Sequence, residues 1–185
     1  FLYQAVRKGA RAREYENAIE WLSRAGLVYK IHRATAPRLP LSSYRDLSAF
    51  KLYMIDVGLL RRFSLLTPSA LSEGNRLLTE FKGALSENYI LQSLIPQFES
   101  IPAYWTSGNR AEVDYLVQYE NSIIPIEVKS SENIKGRSLN EYTKLHEPPL
   151  RIRFSLRNLE FREGLLNIPL FMADLTTRLI HLLPK

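Results

Sequence analysis

Three carboxylates and one lysine in this chain have the types and spacing to do chemistry together: Glu87, Asp114, Glu127 and Lys129. Acidic oxygens with a nearby ammonium are the donor set for a divalent metal and an activated water. Asp114 lies in Glu112-Val113-Asp114-Tyr115-Leu116-Val117-Gln118-Tyr119, and Glu127 and Lys129 lie in Ile123-Ile124-Pro125-Ile126-Glu127-Val128-Lys129. Both runs alternate in the manner of strands. A hairpin turning at Glu120-Asn121 sets Val113 against Val128, Tyr115 against Ile126 and Val117 against Ile124, on one buried face. The same register places Asp114 opposite Glu127 and Glu112 opposite Lys129 on the other face, and the period of two aligns Glu127 with Lys129. Glu-Asn is not the preferred Asn-Gly turn, and a longer loop would shift this register.

Facing carboxylates repel unless a cation lies between them. Magnesium accepts one or two protein carboxylates and keeps waters and phosphate oxygens for the rest. A lysine beside it stabilises charge on a phosphate or helps deprotonate a water. The third acid comes from the preceding helix, where Ala84, Glu87, Leu91 and Leu94 recur at helical spacing and put Glu87 in an apolar stripe. A carboxylate aimed inward needs a partner. Ordinary cross-strand salt links, with Glu87 ion-paired at a helix edge, would use the same residues, and spacing leaves both readings standing.

The elements that must position these residues follow from local pattern. Tyr15, Ala18, Ile19, Leu22 and Ala25 recur helically before Gly26, and 27–33 alternates as a short basic strand. Helix, glycine and strand in that order resemble the end of a winged helix. Pro37 and Pro40 mark a loop, and 50–60 is a compact apolar segment closed by Gly58. The stretch 67–74 is the expected domain boundary, giving parts 1–66 and 67–185. A long helix is predicted over 76–94, ended by Pro96, then strands at 103–106, 112–119 and 123–130. A helix at 138–145 and strands at 150–156 and from 170–175 complete the pattern.

Composition narrows the chemistry further. The 185 residues are 45% hydrophobic and 24% charged, enough for one ordinary domain or two small ones. Cysteine is absent, which excludes disulfides, thiolate catalysis and cysteine-ligated zinc and suits a reducing, cytoplasmic setting. No apolar run reaches the roughly 18 residues of a membrane span. His32, His146 and His181 are scattered and are expected to be surface or packing residues, while Trp21 and Trp105 are expected in the core. The net charge of +6 favours a polyanionic partner, nucleic acid first, with basic clusters at 7–13, 61–62 and 151–157. The opening Phe1-Leu2-Tyr3-Gln4 has no initiator Met and reads as the start of a fragment of a longer chain. No G-x-x-x-x-G-K-[ST] loop is present, so ATP is not bound through that motif.

Four motifs in order carry a resemblance. Lys51-Leu52-Tyr53-Met54-Ile55-Asp56-Val57-Gly58-Leu59 resembles the K-x-Y-x-x-D-x-G-L signature of domain-of-unknown-function family 4143, found C-terminal to many bacterial and archaeal AAA+-type ATPases. Gly83 to Asn88 looks like its G-x-x-x-E-N helix, and Glu112-Val113-Asp114 and Pro125-Ile126-Glu127-Val128-Lys129 look like its E-V-D and P-I-E-V-K strands. The resemblance runs from about Tyr15 to Lys185. It implies an α/β architecture: a winged-helix-like N-terminal part, then a restriction-endonuclease-like, PD-(D/E)XK mixed sheet flanked by helices, from about Lys82 to Leu183. It further implies an ATPase region upstream in the same polypeptide. Carried over, the superfamily's helix acid falls on Glu87, its metal-binding Asp on Asp114 and its (D/E)-x-K on Glu127 and Lys129. Val113 stands where the Pro of Pro-Asp would be, and Glu112 is an extra acid expected to pair with Lys129 or Arg110.

Three functional expectations follow, the last a purely structural oligomerisation domain that the basic balance disfavours. The first is a magnesium- or manganese-dependent nuclease acting on DNA, with metal on Glu87, Asp114 and Glu127, Lys129 activating water, and Tyr142 and Lys144 near the phosphate backbone unless Tyr142 is core. The second is a nuclease-fold module that binds nucleic acid or a partner without turnover and regulates the upstream ATPase. Oligomerisation is left open.

Overall fold

The computed structural model describes residues 8, 11–65, 78–108, 111–131 and 136–184. Helix α1, Ala12–Arg24, ends where Gly26 takes φ +70°, a left-handed conformation that costs glycine nothing. Strand β1, Val28–Ala34, follows and pairs antiparallel with β2, Arg45–Met54, so that Tyr29 faces Tyr53 and Ile31 faces Lys51. Asp56 then caps α2, Val57–Phe63, its Oδ1 accepting the Leu59 N–H at 3.0 Å. Gly58 therefore sits inside a helix instead of closing the apolar segment, because the capping Asp starts a helix there. The expected boundary at 67–74 lies outside the described residues.

Helix α3, Leu78–Leu94, buries Ile90, Leu91 and Leu94 completely and gives way at Pro96 to a short 3-10 turn. The remaining strands are β3 (Ala103–Thr106), β4 (Glu112–Tyr119), β5 (Ser122–Val128), β6 (Arg151–Ser155), β7 (Glu160–Arg162) and β8 (Leu165–Pro169). Helix α4, Arg137–His146, precedes β6, and α5, Thr176–His181, closes the chain. The fold is mixed α/β: one eight-stranded sheet in the order β2-β1-β3-β4-β5-β6-β8-β7. Pairing is parallel at β1–β3, β5–β6 and β6–β8 and antiparallel elsewhere.

Two apolar clusters sandwich the sheet. Under α3, its three buried side chains meet Tyr115, Val117, Ile124, Ile126, Val128, Ile152 and Phe154. Against α4, Tyr142 meets Trp105, Val113 and Leu116. The β4–β5 hairpin has the predicted register, Tyr115 against Ile126 and Val117 against Ile124, with Glu120 at φ +49° in its turn. Val113 departs from it. Between Ala103↔Leu116 and Trp105↔Val113 strand β4 holds one extra residue, and this bulge turns Val113 onto the α4 side, away from Val128.

Two further expectations are corrected. Residues Leu170–Leu175 form a 3-10 helix, not a strand, because Pro169 ends β8 and Gln97 seizes the turn that follows. Its Nε2 donates to the Ala173 carbonyl at 2.9 Å and its Oε1 accepts the Thr177 N–H at 3.1 Å. Trp21 is 67% exposed, and Ile19 is a buried residue of α1, whereas Trp105 is buried as expected. Among the described residues no helix is long and apolar enough to cross a membrane.

Candidate active site

The site begins where α3 meets β2. Consecutive residues of α3 grip that strand: the Tyr53 hydroxyl donates to Glu87 Oε2 at 3.3 Å, and buried Asn88 holds both backbone groups of Met54. Its Oδ1 accepts the Met54 N–H at 2.9 Å and its Nδ2 donates to the Met54 carbonyl at 3.1 Å. One turn later Gln92 Oε1 accepts the Val57 N–H at 3.0 Å. From the sheet side the Tyr115 hydroxyl donates to the Glu87 backbone carbonyl at 3.0 Å. The Glu87-Asn88 pair and the Lys51-x-Tyr53 pair, far apart in sequence, are thus one structural unit.

Asp114 enters this unit through the bulge. The resolved β4–β5 pairing stops at Tyr115↔Ile126, and beyond it the Asp114 carboxylate itself accepts the Val128 N–H, at 2.8 Å. Burial, with repulsion from Glu87 second, pushes the Asp114 pKa up to about 7 against the Val128 hydrogen bond and the charges of Lys51 and Lys129. Burial also raises Glu87, with Glu112 adding to the effect and Lys51, Tyr53 and Lys129 opposing it. Both carboxyls therefore sit where negative charge is undercompensated. Lys51 forms the ion pair expected of Lys129, to Glu112; Arg110 lies outside the described residues. Lys51 is brought there because β2 and β1 extend the sheet past β3, whose Tyr104 ring lies 5.1 Å from its ammonium. Burial works against that ammonium, but Tyr53, Glu112 and Glu87 hold its pKa above the ordinary value.

Glu127 is fully buried yet does not face Asp114 across the ladder. Its Oε2 accepts from Arg153 Nε at 3.2 Å, the pairing that the parallel register Glu127↔Arg153 dictates. Lys129 Nζ lies 3.2 Å from its Oε1 as an ion pair but is not aligned to donate, and that buried oxygen has no hydrogen-bond partner among the described residues. Gly136, at the start of α4, makes room for Arg153: a Cβ there would collide with Nη2.

The structure thus brings Glu87 and Asp114 together, with Lys129 within electrostatic reach of both, and ties Lys129 to Glu127. A divalent cation suits Glu87 and Asp114, whose raised carboxyls lack positive charge, and the orphaned Glu127 Oε1 is a third oxygen of the right kind. Among the described residues, however, no three acidic or histidine side chains already form a metal-holding group. Tyr142 is a core aromatic, edge-on to Trp105 at 5.1 Å between ring centres, and Lys144 is exposed. The histidines pack: His32 Nδ1 lies 3.2 Å from the Asp46 carbonyl, His181 Nδ1 lies 2.8 Å from the Tyr119 hydroxyl, and His146 lies edge-on to Trp105 and tilted against Tyr142. Lys51 and Tyr53, read only as part of a motif, and Arg153, read only as part of a basic cluster, are the site residues to which the sequence assigned no role. Their signal was alternation, Lys51 with Tyr53 and Arg151 with Arg153, each pair on one face of a strand.

Comparison with known proteins adds a family and little more. Residues 1–70 match one domain of unknown function (DUF8612), so Lys51 and Tyr53 fall in a different match from the acids. A crystal structure of protein VC1899 from Vibrio cholerae aligns with 96% of this chain at 18% identity and a TM-score of 0.34. The chain spans 44% of that structure's length. No protein of curated function matches. Residues 82–171, which contain Glu87, Asp114, Glu127 and Lys129, match the domain of unknown function DUF4143, and this segment of the chain belongs to that family.

Proposed function

We propose that the segment from about Lys82 onward is a metal-dependent nuclease domain of the PD-(D/E)XK type acting on DNA, preceded by a winged-helix-like part and working in one polypeptide with an ATPase. The observation that carries the reading is the undercompensated Glu87–Asp114 pair beside Lys129, at the point where β4 and β5 part. Raised carboxyls in such a setting are functional-site candidates. Glu87, Asp114 and Glu127 Oε1 would hold magnesium or manganese, which supplies Lewis acidity toward a phosphodiester and a bound water of lowered pKa. Lys129 would orient that water or meet charge on the phosphate. Tyr53 and Lys51 hold Glu87 in place and temper its charge.

One observation favours a second reading. Arg153 already occupies Glu127 Oε2, a protein cation where a catalytic site would leave room for metal. A nuclease-fold module that binds nucleic acid without cutting it, and regulates the ATPase, would keep such a pair. Calorimetry with magnesium or manganese on the wild type and on Asp114→Ala/Glu127→Ala, beside a plasmid-nicking assay, separates the two. Metal binding and nicking that both vanish in the double variant support the nuclease. Metal binding without nicking supports the second reading, and no binding at millimolar metal rejects the metal site.

A further inference from the structure

Beyond Arg153 the sheet carries a second, strongly basic feature. A cleft of about 350 Å³ over β6, β8 and β7 is lined by Arg151, Arg153, Arg157 and Arg162 against only Glu160 and Glu163. The register explains the clustering. Arg151 pairs with Leu165 and Leu165 with Arg162, while Arg153 pairs with Asn167 and Asn167 with Glu160. Two parallel rows of side chains therefore cross the same face, and at ~4.8 Å per strand each row spans about 10 Å.

Arg153 is paired with Glu127, but the other three guanidinium groups are poorly neutralised. Arg162 meets Glu163 at 3.5 Å, but both side chains are more than three-quarters exposed, so water screens the pair. Arg151 donates to the Glu163 backbone carbonyl, and among the described residues neither Arg151 nor Arg157 has a carboxylate partner. The loop carrying Arg157 is nevertheless held in shape from beneath. Buried Ser155 donates from Oγ to Asn167 Oδ1 at 2.8 Å and accepts the Arg157 N–H at 3.1 Å. Asn167 Nδ2 donates to the carbonyls of Arg157 and Asn158 at 3.4 and 2.9 Å. A buried, satisfied polar network under an unpaired arginine is preorganisation for an anion, since the cost of ordering the loop is met before binding.

We infer that this cleft binds the phosphodiester backbone of a nucleic acid strand. Guanidinium forks match phosphate oxygens bidentately. Charges spread along rows suit a repeating phosphate chain better than a single small anion. Arg153 links the cleft to Glu127, so a strand seated on it would run toward the candidate active site. The inference deepens the nuclease reading and rests on it for the choice of nucleic acid over other polyanions.

The test is fluorescence anisotropy with labelled duplex and single-stranded DNA, in EDTA so that no cleavage is needed. Arg157→Glu/Arg162→Glu is compared with Arg38→Glu/Arg178→Glu, which changes net charge equally, from +6 to +2, outside the cleft lining. All four arginines are exposed, and thermal melting checks that both variants fold. The cleft variant should bind about tenfold or more weaker than the control pair, with a duplex salt slope shallower by about 2, one for each phosphate no longer neutralised. Equal weakening in both variants, no binding by the wild type at low salt, or displacement of DNA by polyglutamate at equal charge would overturn the cleft. Magnesium-dependent nicking that persists in the cleft variant at wild-type rates would also reject the cleft while leaving the nuclease reading standing. Selective loss of binding without nicking by the wild type would do the reverse.

Discussion

Replacing Asp114 with asparagine should make the protein more stable above neutral pH, an unusual outcome for a change in a partly buried, hydrogen-bonded residue. The Asp114 carboxyl rises from its ordinary 3.8 to about 7, mainly through burial and then through repulsion from Glu87. A carboxyl raised in the folded state holds a proton that the unfolded chain has released. Stability therefore falls as pH climbs from about 4 to about 7, and the full penalty stands above that. A rise of roughly 3 pH units is worth about 4 kcal/mol. Asparagine keeps an oxygen to accept the Val128 N–H and carries no charge toward Glu87. The variant should thus gain about 2–4 kcal/mol over the wild type near pH 8 and nothing near pH 4, read by urea unfolding in EDTA. Magnesium should then stabilise the wild type near pH 8, by about 1.4 kcal/mol at ten times its Kd, and leave the variant unmoved. A wild type whose stability is flat from about pH 5 to 8, or a variant weaker near pH 8, would refute the reasoning.

Arg153→Met strips buried Glu127 of its Oε2 partner and should cost about 3–5 kcal/mol in urea unfolding, with most of the loss recovered in Arg153→Met/Glu127→Gln. Gly136→Ala should mimic the single loss by pushing the guanidinium aside; wild-type stability in that variant would contradict the placement of Arg153. Asn88→Ala leaves the Met54 N–H and carbonyl without their side-chain partners and should cost about 2–4 kcal/mol. Amide exchange at Met54 should accelerate well before global unfolding, and unchanged protection there would mean that α3 does not hold the end of β2.

Much of the scaffold was legible because its causes are local. Strands Ala103–Thr106 and Glu112–Tyr119 fall on their predicted bounds, and the hairpin register around Tyr115 and Val117 follows from alternation alone. Failures occurred where a distant partner decides. The bulge that turns Val113 away from Val128 exists only in relation to β3, and the turn at Leu170–Leu175 depends on Gln97, far upstream in the chain. Trp21 was expected in the core from its type alone, yet an apolar side chain is buried only where another element covers it, and Trp21 stays exposed.

The same distinction governs the candidate site. Asp114, Glu127 and Lys129 in a predicted strand pair, and Glu87 in an apolar helical stripe, stand out by type and spacing as candidates, and spacing goes no further. What neutralises them does not stand out. Lys51, on β2, reaches Glu112 across 61 residues and two intervening strands, and Arg153 reaches Glu127 across 26 from the adjacent strand; only the folded sheet supplies either contact. Those two cations bear on whether the acids are metal ligands or members of closed ion pairs. An acid substitution abolishes both roles alike, whereas removing a cation separates them. Arg153→Met should strengthen magnesium binding if Glu127 is a ligand that the guanidinium restrains, because the buried charge then has only the metal and Lys129 to answer it. If the ion pair is the whole purpose of Glu127, the same substitution loses stability and magnesium restores none of it.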